Sequence, residues 1–142
     1  MNTDISMADN LIQFSYMIQS VLANAGAPYE LSLIQIRLLG ILRDREPSMQ
    51  QLAQHLELDK SSITGLIDRA ERRGLVERVP SLEDRRRFNV RLTLTGRQIT
   101  DEVGGEIILK IHGLTEILSN NEHSQLSELA AKIIETASKF LD

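Results

Sequence analysis

The side chains best suited to do chemistry form a run of three arginines beside a carboxylate. Arg85, Arg86 and Arg87 directly follow Asp84, between two segments with strand-like patterns. Three adjacent guanidinium groups repel one another and add nothing to folding, but they can bind phosphates and enter a narrow minor groove. A neighbouring carboxylate can hold a guanidinium in place and spare it rotamer entropy on binding. The run predicts a nucleic-acid-binding loop positioned by Asp84; a solvated loop without a ligand is the alternative.

A second candidate surface lies on residues 60–73, where the apolar positions fall on one helical face. The predicted outward residues are Ser61, Ser62, Thr64, Gly65, Arg69 and Arg72. Small side chains allow close approach to a major groove, hydroxyl groups can bond base edges or phosphates, and the helix N-terminus adds amide donors. An ordinary solvated helix face with serine caps is the alternative. Asp68 on this face is a second candidate for positioning the arginine loop.

The elements that must position these side chains follow from periodicity, caps and breakers. Helices are predicted at 5–25, 31–43, 48–56, 60–73, 95 to about 118 and from about 120 onward, and strands at 75–79 and 89–94. Asp59 is the predicted N-cap of the fourth helix and Gly74 its stop, and Pro80 closes the first strand. Ser48, Thr95 and Ser119 each open a predicted capping box. A short helix, a tight turn, a longer helix and a hairpin together indicate a winged helix.

The predicted fold class is mainly α with a small two- to three-stranded β-wing. The order of the elements divides the chain into an N-terminal helix at 1–30, a winged helix-turn-helix domain at 31–96 and C-terminal helices at 97–142. The apolar seam of the first helix packs either on its own core or on a second subunit.

Charge is segregated along this chain of 142 residues and net charge −4. Residues 60–97 hold ten Lys and Arg against five Asp and Glu, and the remaining residues hold six against fifteen. A basic segment inside an acidic chain indicates a localised polyanion-binding surface rather than indiscriminate binding. The first basic residue is Arg37 and no apolar run could cross a bilayer, so we expect no signal peptide and a cytoplasmic protein.

Signals for other chemistry are weak. The chain has no cysteine, which excludes disulfides and thiolate metal sites, and His55, His112 and His123 follow no metal-binding spacing. No glycine-rich phosphate loop or nucleophile elbow is present. We therefore predict no enzyme activity, no cofactor and no metal.

From about Leu33 to Gly96 the sequence resembles the MarR (multiple antibiotic resistance regulator) family of winged-helix transcription regulators. The matching motifs are Asp84-x-Arg86, Val90-x-Leu92-Thr93, Thr95-Gly96, Leu66-Ile67-Asp68-Arg69 and Arg73-Gly74-Leu75-Val76-Glu77-Arg78. One departure is Ser81-Leu82-Glu83, where family members often carry an Asp-Pro pair.

The resemblance implies a sequence-specific regulator of double-stranded DNA, a repressor released by a small-molecule effector. It further implies that the protein binds a pseudo-palindromic operator as an intertwined homodimer, with dimerisation helices at 1–30 and 97–142. It also implies a pocket for small aromatic or anionic effectors. The candidate pocket residues are Tyr16, Tyr29, Arg37, Arg43 and His112. The alternatives are a winged-helix module that docks an acidic protein or RNA, and a constitutive repressor without an effector.

Overall fold

The computed structural model is mainly helical with a two-stranded β-wing, which confirms the predicted fold class. It describes residues 3–141, so positions 1, 2 and 142 of the predicted terminal segments lie outside it. The elements are α1 Thr3–Gly26, a 3₁₀ turn Ala27–Tyr29, α2 Leu33–Leu42, α3 Met49–Leu56, α4 Lys60–Arg72, β1 Val76–Pro80, β2 Phe88–Leu92, α5 Leu94–Leu114 and α6 Asn120–Leu141.

Side-chain caps fix where α2, α3 and α4 begin. The predicted capping box that opens α3 is confirmed, since Ser48 and Gln51 bond each other's backbone amides, and Ser32 and Gln35 form a second box that opens α2. Asp59 accepts the Ser62 amide at 2.7 Å and caps α4, as predicted. These caps satisfy amides that would otherwise lack acceptors in the first helical turns.

The core lies where α2, α3 and α4 meet the wing. Its largest fully buried side chains are Leu38, Leu42, Leu52, Leu66, Ile67, Val76 and Val90. Each buried aliphatic side chain contributes about 1.5–3 kcal/mol relative to exposure. Because α4 and both wing strands share this core, burial holds the two predicted surfaces next to each other.

The wing is an antiparallel pair whose register runs from Val76 opposite Leu92 to Pro80 opposite Phe88. Pro80 is thus the last paired residue of β1, where the sequence suggested that it closes the strand from outside. Its position at the end of the strand is compatible with its missing amide proton. A third strand is reduced to a single bridge between Ser48 and Asn89.

Threonine 93, not the predicted Thr95, caps the start of α5. The Thr93 hydroxyl accepts the Gly96 amide at 3.0 Å and donates to the Gly74 carbonyl at 2.5 Å. The capping box predicted at Thr95 is therefore wrong, because a residue two positions earlier already satisfies both the helix and the turn after α4. A Cβ at Gly96 would lie 1.9 Å from the Leu75 carbonyl oxygen, so only glycine fits there.

Helix α5 ends at Leu114, four residues before the predicted end. The Thr115 hydroxyl donates to the Ile111 carbonyl at 2.8 Å, and a turn occupies residues 115–118. The Ser119 and Glu122 pair then forms the start of α6, with reciprocal backbone bonds of 3.2 and 3.0 Å.

The chain divides into two compact units, residues 1–107 and 108–142. In the first unit, α1 exposes large apolar side chains, among them Ile5, Met7, Leu11, Ile12, Phe14 and Met17. In the second unit, α6 exposes Leu126, Leu129, Ile133 and Ile134. No helix within residues 3–141 combines the length and apolarity required to cross a membrane.

Candidate nucleic-acid interface

Helix α4 turns its apolar residues inward and its predicted reading residues outward. Ile63, Leu66, Ile67 and Ala70 are buried in the core. Ser61, Ser62, Thr64, Arg69 and Arg72 are exposed, and Gly65 and Asp68 are partly exposed. The six predicted DNA-binding positions of this helix thus share one accessible face.

Two hydroxyl groups on this face already donate within the protein. Ser61 donates to the Asp59 carboxylate at 3.1 Å, and Thr64 donates to the Lys60 carbonyl at 2.8 Å. Each hydroxyl oxygen retains acceptor capacity, and the Thr64 methyl group is directed by this bond. The Ser62 amide, followed by the Ser62 and Ser61 hydroxyls, holds the pKa of the Asp59 carboxyl below its usual value, so this cap is ionised at neutral pH.

Gly65 makes room for the side chain of Arg69. A Cβ placed on Gly65 would lie 3.1 Å from a terminal nitrogen of the Arg69 guanidinium. The Arg69 side chain thus extends toward the N-terminal half of α4. Its guanidinium lies about one helical turn closer to the small residues than the Arg69 Cα does. Arg72 is exposed at the last turn of α4.

Asp84 organises the loop between β1 and β2. Its Oδ1 accepts the Arg86 backbone amide at 3.0 Å and the Arg86 Nε at 3.3 Å, while Oδ2 lies 3.5 Å from the Arg87 Nε. The Arg86 amide and then the Arg86 side chain lower the pKa of this carboxyl. Arg86 nevertheless remains 91% exposed, so its orientation is set while its guanidinium stays available. Arg85 is exposed on the same loop.

A residue that sequence reasoning missed connects the wing to the recognition helix. Arg78 of β1 donates to Asp68 at 2.7 Å and to Glu71, both on α4, and its side chain is only 23% exposed. The signal was present: Arg78 follows the buried Val76 by two residues, so a strand directs it toward the helix. Asp68 and Glu71 are three residues apart and share a helical face.

A groove of about 620 Å³ runs between α3, α4 and the wing. Its apolar wall includes Met49, Ala53, Ile63 and Phe88, and Lys60, Thr64, Arg78, Arg86 and Arg87 line its polar side. Phe88 is 46% exposed and was not among the predicted site residues. The groove joins Thr64, on the outer face of α4, to Arg86 and Arg87 of the arginine loop.

The five predicted effector residues lie on several elements. Tyr16 is 64% exposed on α1, Tyr29 ends the 3₁₀ turn and donates its hydroxyl proton to Glu102, and Arg37 is exposed on α2. Arg43 follows α2 and pairs with Asp44 at 3.0 Å. His112, the last of the five, lies on the part of α5 that belongs to the unit 108–142.

No group of three or more His, Asp or Glu side chains within the described part of the chain is placed to hold a metal ion. The chemistry of the site is that of exposed guanidinium, hydroxyl and amide donors on a rigid frame.

These elements define a winged helix-turn-helix protein. The family model described as "MarR family" matches residues 29–87, from the 3₁₀ turn to the end of the arginine loop. The chain is 30% identical over 114 residues to the uncharacterized HTH-type transcriptional regulator YfiV of Bacillus subtilis. The match covers 78% of this chain and 71% of YfiV. The chain belongs to the MarR family of DNA-binding transcriptional regulators.

Other relatives agree with this assignment. The HTH-type transcriptional repressor YetL of Bacillus subtilis is 27% identical over 94% of this chain and 81% of its own length. The regulator FarR of Neisseria gonorrhoeae is 31% identical over 59% of this chain, and the match spans only 58% of FarR. Among solved structures, NadR in complex with 4-hydroxyphenylacetate has a TM-score of 0.78 at 25% identity, covering 94% of this chain and 95% of NadR.

Proposed function

We propose that this protein is a homodimeric repressor that binds a pseudo-palindromic operator and is released by a small aromatic or anionic effector. Each protomer inserts α4 into a major groove and extends its wing over the adjacent minor groove. Two recognition helices related by a twofold axis then meet half-sites whose centres lie about 34–36 Å apart.

The observation that carries the proposal is a groove lined both by Thr64 of α4 and by Arg86 and Arg87 of the wing, two surfaces of different chemistry. Ser62 and Thr64 lie at the N-terminal end of α4 and are suited to base edges, whereas Arg86 and Arg87 lie on the wing and are suited to phosphates and the minor groove. To bind an acidic protein, the surface would need only the guanidinium groups of the wing. The small hydroxyl-bearing face beside them favours duplex DNA over an acidic protein.

Exposed apolar side chains support the dimer. Within the first unit α1 leaves Met7, Leu11 and Phe14 at least 41% exposed, and within the second unit α6 leaves Ile133 and Ile134 more than 60% exposed. Contiguous apolar surface of this kind is uncommon on monomers and is buried in obligate dimers.

The proposed effector is a small aromatic or anionic molecule. NadR, whose structure holds 4-hydroxyphenylacetate, supports an aromatic carboxylate as the ligand class. Tyr16, Tyr29, Arg37, Arg43 and His112 are the proposed sources of its contacts.

Selection of binding sequences from a random duplex library, with sedimentation of the free protein, tests the core of the proposal. We expect enrichment of an inverted repeat with half-sites about one helical turn apart, and a dimer at micromolar concentration. Recovery of no preferred sequence, or of single half-sites by a monomer, would contradict it. Addition of 4-hydroxyphenylacetate to the selected complex tests the effector class, and loss of the complex is the expected result.

A further inference from the structure

The recognition helix is tied at its C-terminal end to the junction between α1 and α2. Arg73, which directly follows α4, donates through Nη1 to the Glu30 carbonyl at 3.0 Å and through Nη2 to the Tyr29 carbonyl at 2.5 Å. These carbonyls end the 3₁₀ turn, where Glu30 adopts a left-handed conformation with φ 55°. Carbonyls at a helical terminus lack intrahelical donors and carry partial negative charge, so a forked guanidinium complements them in geometry and charge.

The same turn is also bonded to α5. The Tyr29 hydroxyl donates to a carboxylate oxygen of Glu102, and the Glu102 bond raises the pKa of the tyrosine. The end of α1 is closely packed beside it, since a Cβ on Gly26 would lie 2.5 Å from Cδ1 of Ile36. A continuous chain of bonds therefore runs from Arg73 through Tyr29 to Glu102.

We propose that Arg73 is a positioning residue for operator binding, which sets the angle of α4 against the turn and, through Tyr29 and Glu102, against α5. This inference rests on the proposed dimer and operator. Arg73 and its neighbour Arg72 are both exposed, but both terminal nitrogens of Arg73 already donate to carbonyls of the turn. The inference therefore assigns Arg73 no DNA contact. It also gives Tyr29 a role in geometry beyond its candidacy for the effector pocket.

The length of α4 amplifies any change at Arg73 into a larger displacement at the other end of the helix. The helix has 13 residues, so its N-terminal reading end lies roughly 18 Å from Arg73. Rotation about the Arg73 end then displaces Ser62 by roughly 1 Å for every 3°. In a dimer both reading ends move, and the spacing of the two half-sites is no longer matched.

Spin-label distance measurements on the DNA-free dimer test the geometry directly. The chain contains no cysteine, so Ser62→Cys gives one label on each protomer. We expect a narrow inter-label distance distribution in this parent and a broader or shifted one after Arg73→Gln. Tyr29→Phe keeps every backbone carbonyl and should change the distance distribution in the same way as Arg73→Gln. Arg72→Gln should leave the distribution unchanged.

Binding titrations at several salt concentrations separate positioning from contact. Arg73→Gln should lower the affinity ratio of operator to scrambled duplex by roughly 2- to 30-fold. It should leave the slope of log affinity against log salt unchanged, because no phosphate contact is lost. Arg72→Gln should instead reduce the magnitude of that slope by about 0.9.

The outcomes distinguish this inference from the function on which it rests. A monomer, which gives no inter-label distance, would overturn the proposed function and this inference with it. A dimer that binds its operator but keeps a narrow distribution and full sequence preference after both Arg73→Gln and Tyr29→Phe would overturn the inference alone. If Arg73→Gln does not fold, Arg73→Lys retains the charge without the fork and should show the same loss of preference.

Discussion

Arg78 of β1 donates to Asp68 of α4 at 2.7 Å, so the wing strand and the recognition helix are joined by a side chain as well as by the core beneath them. Glu71 accepts from the same guanidinium. Because Arg78 is mostly shielded, this cluster should define the angle between the two surfaces proposed to contact DNA.

A double-mutant cycle should detect this connection in the free energy of unfolding. Combining Arg78→Met with Asp68→Asn should reveal a coupling of about 0.5–1 kcal/mol, since the pair is only partly exposed. Arg91 and Glu77, a cross-strand pair in which both side chains are about half exposed, should give a smaller value and serves as the control. Urea denaturation measures both cycles, and strictly additive effects at Arg78 and Asp68 would show that the pair does not fix the wing.

The direction in which Asp84→Asn changes operator affinity should reveal whether Asp84 positions the wing. Asp84→Asn removes a negative charge near DNA, which by itself favours binding, but it frees Arg86 and Arg87. We expect weaker operator affinity by about 2- to 10-fold, because ordered charge-assisted bonds are lost.

The neighbouring Glu83→Gln is the matched control for that variant. Glu83 is exposed and its side chain holds neither arginine, so its neutralisation should strengthen binding slightly. Fluorescence anisotropy measures the operator affinity of both variants. Equal strengthening by Asp84→Asn and Glu83→Gln would mean that Asp84 contributes only charge.

Two glycine-to-alanine changes should have opposite effects on stability. Gly96→Ala forces a Cβ against the Leu75 backbone and should destabilise the fold by about 1–3 kcal/mol or more. Gly40→Ala, in α2, meets no atom within 4 Å and should stabilise it by about 0.5–1 kcal/mol. Thermal melting of both variants checks this, and a neutral Gly96→Ala would show that the close approach is absent.

The caps should make stability depend on acid pH. The pKa of Asp59 is lowered in the folded state, chiefly by the Ser62 amide, so the unfolded chain binds the proton first as pH falls. The stabilisation is fully present above the unfolded pKa of about 4 and is lost as pH falls through the lower folded value. Asp59→Asn keeps an oxygen that can cap the helix but no longer titrates. The free energy of unfolding of this variant should therefore fall less steeply below about pH 4 than that of the wild-type protein. Parallel urea titrations across this range would show identical profiles if the cap were not ionised.

The fold was largely predictable because its signals are local. Helix α4 is bounded by a cap at Asp59 and by Gly74, which has φ 72°, and both follow from residue type. The error at Thr95 arose where a local motif competed with a tertiary bond, since Thr93 reaches back to Gly74 across 19 residues.

The exposed face of α4 and the contacts of Asp84 with the arginine loop were predicted as well, but the bonds of Arg78 and Arg73 to neighbouring elements were not. Arg78 carried a usable signal in its alternation with Val76. Arg73 carried none, because its acceptors are backbone carbonyls 43 and 44 residues away, which no pattern of side chains marks.

The central claim is that α4 and the wing together bind a specific duplex. Anisotropy titration of the selected operator and of a scrambled duplex across a salt series tests it most directly, with the wild-type chain and an Arg85/Arg86/Arg87 triple-alanine variant. The wild-type protein should show a steep slope of log affinity against log salt and retain its preference for the operator, and the variant should lose affinity and about 2–3 units of slope. Undiminished operator affinity in the variant, or salt-dependent binding without preference for either duplex in the wild type, would contradict the account.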